Sequence, residues 1–219
     1  NDIFNSGQHL LSLINDILDL SKVEAGMMEL ELEPVELQSV LSNSLLIVRE
    51  KAALQSIQLK LETDGDLGSI ELDLRKTKQI VYNLLANAVK FSAPGGVVTL
   101  AVRKVSREEV GVLGGDWPVH AFQIPESDFE LFLELSVSDT GIGIAESNMD
   151  KLFRAFSQID SSLARRFEGT GLGLAMVKQL TELHGGSVAV ASLEGAGARF
   201  VAWLPIRSST HVEAPWPRS

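Results

Sequence analysis

Between Ile3 and Leu20, apolar residues recur three or four positions apart. Ile3, Leu10, Leu13, Ile17 and Leu20 keep the spacing with Ser6 in register, and Phe4, Leu11 and Leu18 widen the stripe. That period predicts a helix, and so broad a stripe suits a bundle better than a narrow two-stranded seam. The face needs a partner helix or a second subunit to cover it. No capping residue opens the helix, which reads as the continuation of a longer element. Gly26 predicts its end, and residues 27–35 then alternate as a strand entering a second region.

From Glu36 the pattern predicts a helix over 37–55, a strand over 57–63, a turn at 64–68 and a short strand over 69–73. Asp73 is placed to cap the next helix, 74–92, which Pro94, Gly95 and Gly96 end. A strand over 97–105 follows. Residues 106–128 contain Gly114, Gly115, Pro118 and Pro125 and read as a loop-like surface insertion. Apolar alternation returns over 129–139. A helix-like run opens near Gly173 and stops at Gly185 and Gly186, and strands over 187–192 and 198–206 finish the region. The last dozen residues, with Pro215 and Pro217, read as a tail. Helices and hairpin-like strands mix without a steady βαβ rhythm, which predicts a two-layer α/β sandwich with a mixed sheet.

A hydrophobic content of 45% over 219 residues is enough for a real core. The net charge of −10 argues against nonspecific binding to nucleic acid or to an anionic membrane, while leaving room for an anion held by local backbone groups. With no cysteine there is no disulfide scaffold or thiolate site, which fits a reducing, cytoplasmic setting. No apolar run approaches the length of a spanning helix, so no direct membrane contact is expected of this piece, although a longer parent protein is free to be anchored.

Three stretches carry candidate chemistry. In NLLANAVKFS, Asn83, Asn87 and Lys90 share one helix face while Leu84, Leu85 and Ala88 turn elsewhere. Two carboxamides and an ammonium on one ridge suit a hard cation and the phosphates it bridges, or simply a solvated face. In DTGIGI, Asp139 ends an apolar strand just before Gly141 and Gly143. A carboxylate there can accept from an exocyclic amine while the glycines let a flat ring approach; a tight turn is the plainer alternative. A dinucleotide fingerprint fits poorly, because Glu146 stands where its third glycine belongs. GTGLGL, residues 169–174, opens a helix with free N–H groups and the positive end of the dipole, an anion site without the lysine of a P-loop. Phe153 and Phe156 in LFRAF read, taken alone, as core. His184 reads as a residue beside a helix C-terminus.

In this order, the set resembles the catalytic and ATP-binding domain of sensor histidine kinases, within the ATPase superfamily shared with gyrase, Hsp90 and MutL. The resemblance covers about residues 1–206. NLLANAVKFS is similar to the N box, DTGIGI to the G1 box, LFRAF to the F box and GTGLGL to the G2 box. LINDILDLSKVEAG resembles the second helix of the dimerisation and phosphoacceptor hairpin. The resemblance implies a Bergerat-type fold with helices on one face of the sheet. It assigns 1–26 to half of the hairpin, 27–35 to a linker strand, 36–207 to the ATP-binding domain and 208–219 to the tail.

It further implies ATP and Mg2+ as ligands. Asn87 would coordinate the metal, Asn83 would support that site and Lys90 would contact phosphate. Asp139 would bind the adenine amino group, with Gly141 and Gly143 near the ring. Gly169, Gly171 and Gly173 would wrap the triphosphate, with Thr170 and Leu172 between them. Residues 157–168 would form a lid anchored by Phe153 and Phe156, with Arg165 and Arg166 near phosphate. The implied partners are a response regulator receiver domain and, through the hairpin, a second copy of the parent chain.

The superfamily also contains ATP-hydrolysing clamps, which usually carry glutamate where this chain has Asn83. A carboxylate can take a proton from attacking water and an amide cannot, so Asn83 favours transfer to a protein nucleophile. None of His9, His120, His184 and His211 sits in the family's phosphoacceptor setting. The acceptor histidine is therefore expected outside this chain; a parent that lacks it and a binding-only scaffold are the alternatives.

Overall fold

The computed structural model describes residues 2–157 and 170–207; side chains at residues 2–6, 8, 9 and 12 lie outside that description. Helix α1 runs over Asp2–Glu24. It ends as the sequence predicts: Gly26 takes a left-handed φ of 66°, and the Met27 N–H reaches back to the Lys22 carbonyl at 2.9 Å. Among the described side chains, the C-terminal part of its apolar stripe is the covered part. Leu20 is buried in the core, with Leu13 and Val23 packed against it, whereas Leu10, Leu11, Ile14 and Leu18 are exposed.

The strand expected over 27–35 shrinks to β1, Glu33–Glu36. It pairs antiparallel with β3, Ser69–Leu72, in a small two-stranded sheet. The main sheet has the order β2-β4-β6-β8-β7-β5. Its strands are β2 (Gln58–Thr63), β4 (Val97–Ser106), β5 (Val119–Ala121), β6 (Leu131–Asp139), β7 (Ser187–Leu193) and β8 (Gly197–Pro205). β2 and β4 are parallel, as a connection through an intervening helix allows; the other pairs are antiparallel. Helices α2 (Leu37–Leu54), α3 (Leu74–Phe91) and α4 (Gly173–Leu183) cover one face. Leu133, Leu135 and Val137 of β6 point into that layer and join Leu84, Leu85, Ala88, Val177 and Leu180 in one core. This is the α/β sandwich that the pattern predicts.

The opposite face departs from the expectation for 106–128. Alternation along β6 turns Phe132, Glu134 and Ser136 to that side, and Phe132, Val105, Ala189, Val201 and Trp203 form a second apolar cluster there. The insertion covers it with Val110, Leu113 and Ile124, joined by Phe129 just beyond. The same segment contributes β5, which pairs with β7 at the sheet edge. It is thus a structural cover rather than a surface loop, because an apolar outer sheet face would otherwise meet water. Glu134 is buried on this side and fully engaged. Its two oxygens accept from Arg103 Nε and Nη2, from Arg199 Nη2 and from Trp203 Nε1, each at 3.0 Å.

Candidate functional site

Helix α3 starts where the Asp73 carboxylate accepts the Lys76 N–H at 2.9 Å. The same carboxylate pairs with Lys76 Nζ at 2.6 Å and accepts the Glu31 N–H at 3.0 Å. These contacts hold the Asp73 carboxyl below its ordinary value, although burial works against them. The helix's rotation is set by its buried ridge of Ile80, Val81, Leu84, Leu85, Ala88 and Val89. That rotation leaves Asn83, Asn87 and Lys90 half-buried together along its flank. Among the described residues, none of these three side chains makes a hydrogen bond or ion pair. Lys90 Nζ lies 4.9 Å from the Phe91 ring centre, and burial pushes its ammonium pKa down. Two amides and a partly desolvated cation with no hydrogen-bond partner among the described residues can serve a ligand.

Asp139 closes β6 on the helix-facing side, opposite Val98 and Ala198. It is only 6% exposed. One oxygen accepts the Gly141 N–H at 2.9 Å. Burial dominates and raises its pKa from 3.8 to about 6, against the lowering effect of the Gly141 and Ala198 N–H groups. A buried acid with acceptor capacity to spare, at the mouth of a sheet, can grip an amine.

Gly141 and Gly143 have an internal reason to be glycine. A Cβ on Gly141 would collide with the Phe91 carbonyl and lie 2.7 Å from Asp139 Oδ1. At Gly143, where φ is +65°, it would collide with the Leu193 carbonyl. The loop is clasped on both sides: Ile142 donates to the Phe91 carbonyl at 3.3 Å and accepts from the Gly195 N–H at 2.7 Å. Ser192, which the sequence reading missed, accepts the Ile144 N–H at 2.9 Å and donates to the Gly197 carbonyl at 2.6 Å. No local pattern marks it, since the loop it holds lies 48 residues earlier in the chain.

The two phenylalanines separate. Phe153 is core, 5% exposed, and stacks edge-on against Phe122 and Phe200 with centres 5.4 and 6.2 Å away. Phe156 is 64% exposed and adopts a left-handed φ of 59°, against the reading of both as core. Its N–H donates to the Gly171 carbonyl at 3.1 Å, tying it to the second glycine hexamer. Leu172 is buried, and its N–H is held by Thr170 Oγ1 at 3.2 Å. It caps α4 without a side-chain hydrogen bond to the first turn, so among the described residues no side-chain cap closes the helix mouth. A Cβ on Gly173 would lie 3.8 Å from Asn83 Cγ. Gly169, Arg165, Arg166 and the rest of the expected lid after Ser157 lie outside the described residues. His184 is buried with Nδ1 2.7 Å from the Leu180 carbonyl, and burial lowers its pKa, so it is a neutral core residue.

The amide ridge of α3 therefore lies beside the mouth of α4 at Asn83 and beside the acid-led loop at its C-terminal end. This sheet, layer and site define the ATP-binding catalytic domain of sensor histidine kinases. Residues 72–208 match the family described as histidine kinase-, DNA gyrase B- and HSP90-like ATPase, and the chain belongs to it. It is 42% identical over 218 residues to the circadian input-output histidine kinase CikA of Synechococcus elongatus, covering 99% of this chain and 26% of that protein. The structure of full-length ShkA in complex with AMPPNP superposes with a TM-score of 0.73 at 31% identity, covering 92% of this chain and 37% of that one. The histidine kinase ThkA in complex with response regulator protein TrrA shares the fold, with a TM-score of 0.64 at 20% identity over 94% of this chain and 50% of that one. The chain thus spans about a quarter of the CikA sequence.

Proposed function

We propose that the chain binds Mg–ATP at this site. In its parent protein it would pass the γ-phosphoryl group to a histidine supplied outside the chain, and thence to an aspartate of a response regulator. The observation that carries the reading is convergence: Gly173 lies against Asn83, and the Asp139 loop bridges to the end of the same helix at Ser92 and Gly141. Adenine would donate its amino group to Asp139, with Gly141 and Gly143 beneath the ring. The polyphosphate would lie along Asn83 and Lys90 toward the amides of Gly171 and Gly173. AMPPNP in the ShkA structure and the regulator bound to ThkA are consistent with both ends of that transfer.

The residues fit a magnesium ion of a particular kind. Among the described residues no cluster of three acidic or histidine side chains exists to cage a metal. The half-buried Asn87 amide instead offers one neutral oxygen, which suits a cation that keeps waters and phosphate oxygens for the rest of its shell. When bound, the metal would neutralise phosphate charge; the chain's own part is to position the nucleotide and exclude water.

Asn83 argues against the hydrolase alternative, because an amide cannot deprotonate water. The test supplies a phosphoacceptor helix ahead of residue 1 and γ-labelled ATP. Acid-labile, alkali-stable label on that histidine is the expected result. Rapid release of free phosphate by the chain, lost on Asn83→Ala, would establish the hydrolase instead. The homodimer through hairpin helices belongs to the same proposal, and the exposed Leu10, Leu11, Ile14 and Leu18 support it.

A further inference from the structure

The insertion does more than cover the outer sheet face. Immediately after β5, Phe122 donates its N–H to the Val188 carbonyl at 3.0 Å and accepts from Ser187 Oγ at 2.7 Å. Its backbone is therefore fixed to the sheet edge, while its ring reaches round to the helix side. There it meets Phe153 edge-on, centres 5.4 Å apart and planes at 83°. Lys178 Nζ of α4 lies 5.0 Å from the centre of the same ring, and His120 supports it edge-on at 4.9 Å. One side chain of the insertion thus touches both the aromatic anchor and the helix whose mouth faces the polyphosphate.

What lies between those contacts is strained. Phe156 is three residues after Phe153 and holds a left-handed backbone that a bulky residue adopts only when its surroundings impose it. Its own ring is exposed and supplies little packing to hold that conformation. The constraint comes from the buried Phe153 on one side and the bond to the Gly171 carbonyl on the other. Gly171 in turn presents the amides that open α4.

We propose that Phe122 is a positioning residue for the polyphosphate: by seating Phe153 against α4 it fixes the Phe156–Gly171 link and so aims the amides at the mouth of α4. This rests on the nucleotide reading above. Its signature is dependence on phosphate number, because the Asp139 end of the site is built from β6, β8, the far end of β7 and the end of α3, whereas the Phe122 ring meets His120, Phe153 and Lys178.

The experiment is calorimetric titration of the chain with ATP, ADP and adenosine in the presence of Mg2+. Wild type, Phe122→Ala, Phe122→Leu and Phe122→Tyr are compared, with a circular-dichroism melt of each. Loss of the aromatic contacts should weaken ATP about tenfold in Phe122→Ala. ADP should weaken less and adenosine not at all. Phe122→Tyr keeps the ring and should retain wild-type affinity. Phe122→Leu keeps apolar bulk without the ring and should show the same phosphate-graded loss, so it decides the matter if the alanine variant does not fold. Unchanged ATP affinity in a variant lacking the ring, or an equal loss for adenosine and ATP, overturns the inference while the nucleotide reading stands. Failure of the wild type to bind ATP overturns both.

Discussion

At the scale of single residues, the site holds a buried acid at a cost to the fold. Asp139 keeps its proton up to about pH 6 against an ordinary value of 3.8, so the folded chain binds that proton more tightly than the unfolded one. Its contribution to stability therefore declines as pH rises from about 4 through 6 and stays reduced above, by roughly 3 kcal/mol. Asp139→Asn escapes that loss. Thermal melts should show the variant gaining on wild type as pH climbs from 4 to 7; a pH-independent difference would contradict the burial argument. On the proposed adenine contact, the same proton would govern recognition. Because the carboxylate is the better acceptor for an exocyclic amine, adenosine affinity should fall as pH drops below about 6, and an NMR titration at several pH values would read it. Asn87→Ala should shrink the tightening of ATP binding by Mg2+ by roughly tenfold, which affinities with and without the metal would show. Spacing made these side chains legible, since a helical face or a strand end is local information. The collisions that bar a Cβ at Gly141 and Gly143 were not legible, because Phe91 and Leu193 meet that loop only after folding.

At the scale of elements, the two faces of the sheet serve separate ends. The helix face carries the site, and the outer face carries a cluster under the insertion, locked by Glu134 and its partners Arg103, Arg199 and Trp203. Glu134→Ala would leave an indole N–H and two guanidinium groups without their acceptor. Those guanidinium groups are 40% and 30% exposed and can turn to water, so the expected loss is about 2–3 kcal/mol rather than the larger cost of a fully buried broken pair. Chemical denaturation would measure it, and adenosine affinity should stay unchanged because the cluster lies across the sheet from Asp139. The main helices and strands were readable within a residue or two from period and punctuation. The insertion was not: glycine and proline around Val119–Ala121 hide a three-residue strand whose pairing with β7 depends on residues some 70 positions later.

At the scale of the whole molecule, the order of motifs along the chain foretold the family, but not how the candidate site is held together. The loop after β6 is clasped by the end of α3 and by the β7–β8 turn, and the mouth of α4 is tied to Phe156 and set against Asn83. Each tie joins segments far apart in sequence, which is why spacing alone left a plain turn and a plain helix entry as open alternatives. Leu10, Leu11, Ile14 and Leu18 of α1 are exposed, which is the face the proposed hairpin dimer would cover. A crystal structure of the chain with Mg2+ and a non-hydrolysable ATP analogue tests the central claim most directly. The account predicts the adenine amino group in hydrogen-bond contact with the Asp139 carboxylate, the metal on Asn87, and the phosphates against the amides of Gly171 and Gly173. A nucleotide bound elsewhere, or one whose base and phosphates do not bridge those groups, would contradict it.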